Sequence, residues 1–398
     1  MRSRPAMLTL CLGIAIALLI QGPAATAAPR WVKRVDSLVD GLPMSVAVAL
    51  DGEPLYAHKD WVARPPASNE KLLLSMALLK RVGAETTIPT RLFATKRAGA
   101  DGVVDGNLWI VGHGDPEIDA RDMADLARSV VDAGIERVRG RVFGATGPFA
   151  RDWWAPGWRD YFPRYYIALP TALTYRFNVR AGGKHVREPE RLAARALTRK
   201  LEARGVQVTG KAGSGSAPGG LVALATVRSD PLATIMRRMN VVSSNFRAEV
   251  LGKMLGARRL GSPGTIAKGA RVVTGFADAQ GVSIVAHDGS GLSYDNRVSA
   301  EGMLQMLRVA ERAPWGETLR GTLPAGGEGT LQDRLDSVTV RAKTGTLTEV
   351  SALSGWVWLE REDGWAAFSI LSNDMNTDRA KSIENRIVKV VAANAARR

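Results

Sequence analysis

Residues 65–79 constrain the fold more than any other stretch of this 398-residue chain, because two prolines lead into an almost uninterrupted apolar run. Pro65 and Pro66 hold the backbone extended and keep a helix from starting before them. Ser68 is a residue type favoured at the N-cap of a helix, and the apolar residues behind it have helical spacing up to Gly83. The stretch therefore predicts a buried helix with Ser68 at its start.

Ser68 and Lys71 are three residues apart in this stretch. Side chains at that spacing lie on the same face of a helix, so the Lys71 amine can meet the Ser68 hydroxyl. Such an arrangement can activate a serine nucleophile without a histidine. An ordinary capped helix with a solvated lysine has the same spacing, so the pair alone leaves both interpretations open.

The first 28 residues differ in composition from the rest of the chain. Arg2 and Arg4 precede an apolar run over residues 7–20, and small residues follow at 24–28. A charged start, a short apolar run and an Ala-x-Ala site are typical of a cleaved secretory signal, and the run is short for a membrane span. We therefore predict a signal peptide over residues 1–28 and a periplasmic or otherwise extracytoplasmic protein.

The cysteine and histidine content argues against several kinds of site. The only cysteine, Cys11, lies in the predicted signal, so the remaining chain can form neither a disulfide nor a cysteine-ligated metal site. No two of the four histidines have metal-ligand spacing, and no His-Glu-x-x-His, Walker or Gly-x-Ser-x-Gly motif is present. We expect neither a metal nor another cofactor.

The net charge of +15 favours an anionic partner. No basic motif interleaved with aromatic residues argues for nucleic-acid recognition, so we expect no nucleic acid as a partner. Peripheral association with an anionic cell envelope is the simpler expectation. The oligomeric state stays open.

The order of the predicted elements indicates an α+β fold. Residues 29–84 and 222–398 are predicted to form one domain, a mostly antiparallel sheet flanked by helices. Residues 85–221, in which short strands alternate with Gly/Asp turns, are predicted to form an inserted smaller domain. The Gly/Ser-rich residues 210–220 are interpreted as a flexible loop, and Val282–Ala286 as a strand.

Two further motifs accompany the pair of Ser68 and Lys71. Ser243-Ser244-Asn245 precedes a predicted helix, and Lys343-Thr344-Gly345-Thr346 ends a predicted strand. Each motif is common by itself, as a helix cap or as a strand end with a glycine turn. Ser-x-x-Lys, Ser-x-Asn and Lys-Thr-Gly are together the motifs of penicillin-binding proteins and related β-lactamases.

Essentially the whole predicted mature chain resembles the D-alanyl-D-alanine carboxypeptidase/endopeptidase family, the low-molecular-mass class C penicillin-binding proteins. The resemblance is carried by residues 66–71, 112–116, 231–232, 239–240, 243–245, 287–293, 329–331 and 342–346. It implies a β-lactamase/transpeptidase-like catalytic domain with an insertion between the first and second motifs.

The resemblance also implies a reaction and a set of roles. The substrate would be a peptidoglycan stem peptide, cut at its D-Ala-D-Ala end or at a D-Ala cross-link through an acyl-enzyme on Ser68. Lys71 would be the general base, with a pKa lowered by burial and by the second cation Lys343. Ser243 would relay a proton to the leaving amine, and Asn245 would bind the substrate's amide backbone.

The third motif and the start of the Ser68 helix would supply the binding groups. The backbone N–H groups of Ser68 and Thr346 are expected to form an oxyanion hole. The Thr344 and Thr346 hydroxyls, beside Lys343 and Gly345, would suit the terminal carboxylate of the substrate. A β-lactam mimics the D-Ala-D-Ala end and is expected to acylate Ser68.

Asp160 lies in an aromatic loop together with Trp153, Trp154 and Trp158. The resemblance implies that an acid near this place meets the free amine of the diamino acid in the stem peptide, and a solvated loop aspartate is the alternative. We interpret the tryptophans as core or interdomain packing rather than as a glycan platform. His287 and Asp288 are adjacent, so they would point to opposite faces of a strand; we interpret them as part of a structured loop near the site.

Two other functions stay open. One is a β-lactamase or esterase on the same scaffold, and the other is a non-catalytic cell-wall-binding protein. A fast β-lactamase needs a dedicated deacylation base, and no clear Glu-x-x-x-Asn motif lies between the Ser68 and Ser243 motifs. A binding protein would favour degenerate motifs, whereas these are intact. We therefore predict a D,D-peptidase.

Overall fold

The computed structural model describes residues 28–395. The predicted signal peptide lies outside the described residues, apart from Ala28. Within residues 28–395, no helix is both long enough and apolar enough to cross a membrane.

Five antiparallel strands form the first sheet. Their spatial order is Val340–Leu347, Val350–Leu359, Gly364–Asn373, Met44–Leu50 and Glu53–His58. The strand Met44–Leu50 lies inside this sheet and is buried along its whole length. Its alternate residues pack into different cores, Val46 and Val48 on one face and Ala47 and Ala49 on the other. Burial on both faces explains why its sequence is apolar rather than alternating.

Helices cover both faces of the first sheet. One face packs against Arg30–Val39 and Thr377–Asn394. The other face packs against a larger group, formed by Glu70–Arg81, Leu232–Val241, Asn245–Leu260, Ile266–Asp278, Ala300–Glu311 and Gly316–Thr322. Residues Glu70 to Leu79 are all buried, so the helix predicted from residues 65–79 is the centre of this group.

The chain between the Ser68 and Ser243 motifs, called the insert below, contains a second and a third sheet with their own core. The strands of the second sheet are, in spatial order, Val222–Arg228, Pro89–Ala94, Leu108–Gly112, Val142–Ala145 and Gly213–Gly215. The third sheet is parallel and consists of Val103–Val104, Arg137–Val138 and Gln207–Val208. The helices of the insert are Ala120–Asp132, the short Phe162–Tyr165, and Pro189–Glu202.

Three details differ from the sequence-based predictions. Val222–Arg228 pairs with Pro89–Ala94, so the predicted division before residue 222 precedes a strand that belongs to the insert's sheet. Within the predicted flexible loop, Gly213–Gly215 pairs with Val142–Ala145 as an edge strand. Val282–Ala286 makes only an isolated bridge, between Val285 and Arg297; its alternating burial comes from an extended segment that packs on the core without a ladder.

A buried ion pair ties the last helix to the loop before the Lys343 strand. The Arg334 guanidinium lies 2.7 Å from Glu384 Oε2, and the Ser351 hydroxyl donates to Glu384 Oε1 over 2.6 Å. Removing one partner of a buried pair leaves the other charge unpaired, which typically costs about 3–5 kcal/mol. We expect Arg334→Met to lower the free energy of unfolding by roughly 3 kcal/mol, measured by urea denaturation.

The matched control is Arg128→Met. Arg128 pairs with Asp125 over 2.9 Å on an exposed helix surface, where such a pair contributes at most about 0.5 kcal/mol. Equal small effects of the two substitutions would contradict a stabilising role for the buried pair.

Candidate active site

Ser68 lies in a single 3-10 turn, Ala67–Asn69, directly before the α-helix Glu70–Arg81. Its hydroxyl does not cap this helix, whose N-cap residue is Asn69. Lys71 Nζ instead donates to Ser68 Oγ over 2.9 Å. The N-cap expectation is therefore wrong, because the extra turn places Ser68 inside the helical path, and the predicted contact between the two side chains is present.

The Lys71 side chain is fully buried, and its amine has three partners. Nζ donates to Ser68 Oγ and to Asn245 Oδ1, each over 2.9 Å, and to the Ser290 carbonyl oxygen over 2.5 Å. Ser68 and Asn245 are themselves partly exposed. The buried amine therefore lies directly beneath two groups that a ligand can reach.

Burial lowers the pKa of the Lys71 amine to about 8, since a charged ammonium loses its hydration there. The carboxyl groups of Asp288, Glu249 and Glu70 act in the opposite direction. All three are buried in the same region of the core. The outcome is an amine whose free-base form is accessible near neutral pH.

Lys343 is a second fully buried amine. Its Nζ donates to Ser243 Oγ and to the Thr344 carbonyl oxygen, each over 2.9 Å. Burial first, and then the positive charge of Lys71, lower the pKa of Lys343 well below its ordinary value. Ser243 thus has one amine as its partner, and Ser68 has the other.

The edge strand Val340–Leu347 packs directly on the turn that carries Ser68. In the orientation that satisfies both ends of its amide, Asn69 donates to the Lys343 carbonyl oxygen over 2.7 Å and accepts from Ser354. A Cβ on Gly345 would lie 2.7 Å from the Pro66 carbonyl oxygen. Glycine is therefore required in the third motif by the close approach of the two backbones.

In the second motif, one residue caps a helix and its two neighbours contact the buried lysines. Ser244 is the N-cap of the helix Asn245–Leu260, and its hydroxyl accepts from the Arg247 N–H over 3.3 Å. Ser243 has a positive φ of 55°, which turns it away from the helix axis. Because Ser244 caps the helix, the side chains of Ser243 and Asn245 stay available to Lys343 and Lys71.

The loop at residues 287–293 contributes a backbone carbonyl to the site, which the sequence did not predict. Its Ser290 carbonyl oxygen is the third partner of Lys71. Gly291 has a φ of +78°, and a Cβ there would lie 1.8 Å from the Ala67 carbonyl oxygen. The signal in the sequence is the pair of glycines around Ser290, which marks a close backbone approach.

The other predicted substrate-binding residues differ in exposure and position. Thr344 is buried, and its hydroxyl donates to Thr330 Oγ1 over 2.8 Å. Thr346 is exposed on the same edge strand. Asp160 is exposed and lines a separate cavity of about 670 Å³ with Trp153, Arg164, Lys184, His185 and Arg187 among others. Within residues 28–395, no hydrogen bond or ion pair joins Asp160 to the three motifs.

The tryptophans of the aromatic loop differ in burial. Trp158 is 4 % exposed, and its indole N–H donates to Asp288 Oδ2 over 2.7 Å. Trp153 donates to the Ile167 carbonyl oxygen, whereas Trp154 is 52 % exposed. Packing therefore accounts for Trp158, while Trp154 presents its ring to solvent.

Several solved structures have a fold similar to that of this chain. Penicillin-binding protein 4 from Haemophilus influenzae superposes with a TM-score of 0.77 at 20% sequence identity, covering 89% of this chain and 97% of that one. A second crystal structure of that protein contains a β-lactam. A predatory peptidoglycan endopeptidase from Bdellovibrio bacteriovorus has a TM-score of 0.55 at 16% identity, covering 88% and 93%. These likenesses show the fold.

Sequence relatives extend over most of the chain. The D-alanyl-D-alanine carboxypeptidase of Actinomadura sp. (strain R39) is 28% identical, covering 90% of this chain and 83% of the relative. Carboxypeptidase DacB of Mycolicibacterium smegmatis is 30% identical, covering 81% and 74%. The model of the D-Ala-D-Ala carboxypeptidase 3 (S13) family matches residues 39–182 and 172–394. The chain therefore belongs to the D-Ala-D-Ala carboxypeptidase 3 (S13) family of serine peptidases.

Proposed function

We propose that this protein is an exported D,D-peptidase that cuts peptidoglycan stem peptides through an acyl-enzyme on Ser68. The observation that carries the proposal is the buried Lys71 amine, which donates to both Ser68 Oγ and Asn245 Oδ1. Export rests on the predicted signal over residues 1–28, and sequencing the N-terminus of the mature protein tests it. Family membership supports the carboxypeptidase activity.

Acylation begins with the Ser68 hydroxyl. Its proton passes to the free amine of Lys71 as Oγ bonds to the carbonyl carbon of the penultimate D-alanine. The C–N bond to the terminal D-alanine then breaks as the leaving amine takes a proton from Ser243. Lys343 restores a proton to Ser243, and the proton held by Lys71 passes to Lys343, so that Lys71 is again a free amine before deacylation. Because only the neutral amine accepts a proton, acylation rises with pH through the Lys71 pKa of about 8.

Deacylation returns the enzyme to its starting state. A water molecule attacks the acyl carbon, Lys71 takes the water's proton, and the C–Oγ bond breaks with that proton returning to Ser68. The same chemistry on a cross-linked peptide releases a diamino-acid amine instead of D-alanine. We propose both substrates. The endopeptidase fold relative supports the architecture for the second one.

The same elements supply the groups that would bind the substrate. We assign the oxyanion hole to the N–H groups of Ser68 and Thr346, and removing one such donor typically costs about 10²–10³ in rate. Thr344, Gly345 and Thr346 lie beside Lys343 on the edge strand, where hydroxyls and a cation suit the substrate's terminal carboxylate. Asn245 binds the substrate's amide backbone with the amide that also accepts from Lys71.

A fluorescent penicillin tests this function against the alternatives. We expect stable covalent labelling of the wild type and none of Ser68→Ala, because a β-lactam mimics the D-Ala-D-Ala end and acylates the same hydroxyl. The measurement is in-gel fluorescence followed over hours. Ser75→Ala removes the hydroxyl of a buried serine in the helix Glu70–Arg81, about two turns beyond Ser68; it is the matched control and should label like the wild type.

Each of the other labelling outcomes favours a different function. An unlabelled wild type contradicts acyl-enzyme chemistry on Ser68 and favours a wall-binding protein. Rapid loss of the label favours a β-lactamase. A muropeptide digest read by mass then separates loss of terminal D-alanine from cleavage of cross-links.

Asp160 is proposed as the acid that binds the free side-chain amine of the stem-peptide diamino acid. Its carboxylate is exposed in the cavity at the aromatic loop. The chain reaches the second motif directly after this loop and the short helix Phe162–Tyr165, because the Tyr166 carbonyl oxygen accepts from Asn245 Nδ2 over 3.4 Å. An acid displayed beside a segment that contacts the site is suited to a cation on the substrate.

We expect Asp160→Asn to lower kcat/KM for a stem peptide with a free side-chain amine about tenfold, which corresponds to about 1.4 kcal/mol. The N-acetylated peptide should be cut equally well by the wild type and the variant. Asp363→Asn, at a turn in the first sheet, is the control and should change neither rate. Equal losses on the two peptides would contradict recognition of the amine by Asp160.

A further inference from the structure

Asp288 is a fully buried carboxylate in the loop behind the candidate site. Its Oδ1 accepts from the Gly291 N–H over 2.8 Å and from Asn296 Nδ2 over 2.9 Å. Its Oδ2 accepts from the Trp158 indole over 2.7 Å and from the Ser293 N–H over 2.8 Å. Four N–H donors thus fix both carboxylate oxygens, so the side chain has a single orientation.

One peptide group connects Asp288 to Lys71. The peptide between Ser290 and Gly291 accepts from Lys71 Nζ at its carbonyl end and donates to Asp288 at its N–H end. A peptide group is planar and rigid, so its two ends cannot move independently. A carboxylate at the N–H end also polarises the group and strengthens the hydrogen bond that the carbonyl accepts.

A second buried acid holds the preceding part of the loop. Glu249 Oε1 accepts from the N–H groups of Gly289 and Ser290, over 2.9 and 2.7 Å. On its other side the loop touches the turn that carries Ser68, where Gly291 lies against Ala67. The Ser290 carbonyl is therefore held from both sides.

We propose that Asp288 is a positioning residue for the general base. Through the Ser290–Gly291 peptide it aims and polarises the carbonyl that holds Lys71 Nζ against Ser68, and Trp158 couples this arrangement to the insert. The inference rests on the proposed role of Lys71. It assigns Asp288 a task beyond holding the loop together, and it makes the insert part of the catalytic support.

The insert reaches Lys71 by two routes, which start on either side of the short helix Phe162–Tyr165. Trp158 donates to Asp288, and the Tyr166 carbonyl oxygen accepts from Asn245 Nδ2. Asn245 and the peptide polarised by Asp288 are two of the three partners of the amine. A joint shift of residues 158–166 would therefore act on both partners at once.

The charges around Lys71 determine in which direction replacing Asp288 shifts the Lys71 pKa. The carboxyl groups of Asp288, Glu249 and Glu70 face its amine and raise the Lys71 pKa, whereas burial lowers it. Lys343 is the neighbouring cation, coupled to Lys71 by charge repulsion. Removing the charge of Asp288 takes away one group that stabilises the ammonium form, so the free amine persists to lower pH.

The test is the pH dependence of acylation of the full mature protein by a fluorescent penicillin. We expect Asp288→Asn to slow acylation about 10- to 100-fold on the high-pH plateau, as for a lost hydrogen bond to a charged group. We also expect it to move the acid limb down by roughly one pH unit. Asp288→Glu keeps the charge, so its limb should stay near that of the wild type although the rate falls.

The matched control is Glu311→Gln. Glu311 also accepts an indole N–H, from Trp356 over 2.8 Å, but it lies on the helix Ala300–Glu311, and among the described residues no hydrogen bond or ion pair joins it to the motifs. This variant should keep both the rate and the limb of the wild type. A limb displaced as far as in Asp288→Asn would show a general effect of losing a carboxylate and would overturn the inference.

The remaining outcomes are also decisive. A folded Asp288→Asn with an unmoved limb overturns the inference, and an unlabelled wild type instead overturns the proposed function. If Asp288→Asn gives no cooperative thermal unfolding, Trp158→Phe decides. That variant keeps the charge, so acylation slowed several-fold with an unmoved limb supports the coupling, and wild-type acylation overturns it.

Discussion

An ammonium group that is removed from water loses the hydration that stabilises its charge, and most of the site depends on how this protein meets that cost at Lys71. The side chain is fully buried, and its amine donates to a hydroxyl, an amide oxygen and a peptide carbonyl. Burial brings its pKa to about 8, so that one amine is both anchored and basic. If Lys71 were solvated, Ser68 would have an ordinary ammonium beside it and no base.

The fold serves this amine by bringing together segments that are far apart in sequence. The central helix Glu70–Arg81 carries Lys71, the helix Asn245–Leu260 begins at its second partner, and residues 287–293 provide the third. The edge strand Val340–Leu347 adds Lys343 through close backbone contacts with the Ser68 turn. Each segment is packed into the core, which keeps the short contacts in place.

The sequence was most informative where local rules and spacing coincide. The pair of Ser68 and Lys71 needed only the helical period, and the buried character of their helix followed from its apolar residues. The other two motifs indicated which residue types would join the site, since Ser243 precedes the helix that begins at Asn245 and Lys343 lies on a strand. Their pairing in space, Asn245 with Lys71 and Ser243 with Lys343, came with the tertiary structure.

Other parts of the site could not be predicted from the sequence, for physical reasons. The Ser290 carbonyl is a backbone group, and every residue has one, so only the packed loop shows which carbonyl meets Lys71. Ser244 rather than Ser243 caps the helix, and the positive φ of Ser243 is a backbone feature that its residue type does not reveal. The strand Val222–Arg228 closes the sheet of the insert, and long-range pairing of that kind has no local signature.

The proposed chemistry depends most on Lys71 being a buried amine of lowered pKa. The direct measurement is an NMR titration of the protein labelled with ¹³C at lysine Cε, with the Lys71 resonance assigned by its loss in Lys71→Arg. We expect a midpoint near 8 for this lysine. A midpoint close to the ordinary lysine value of about 10.4 would contradict it.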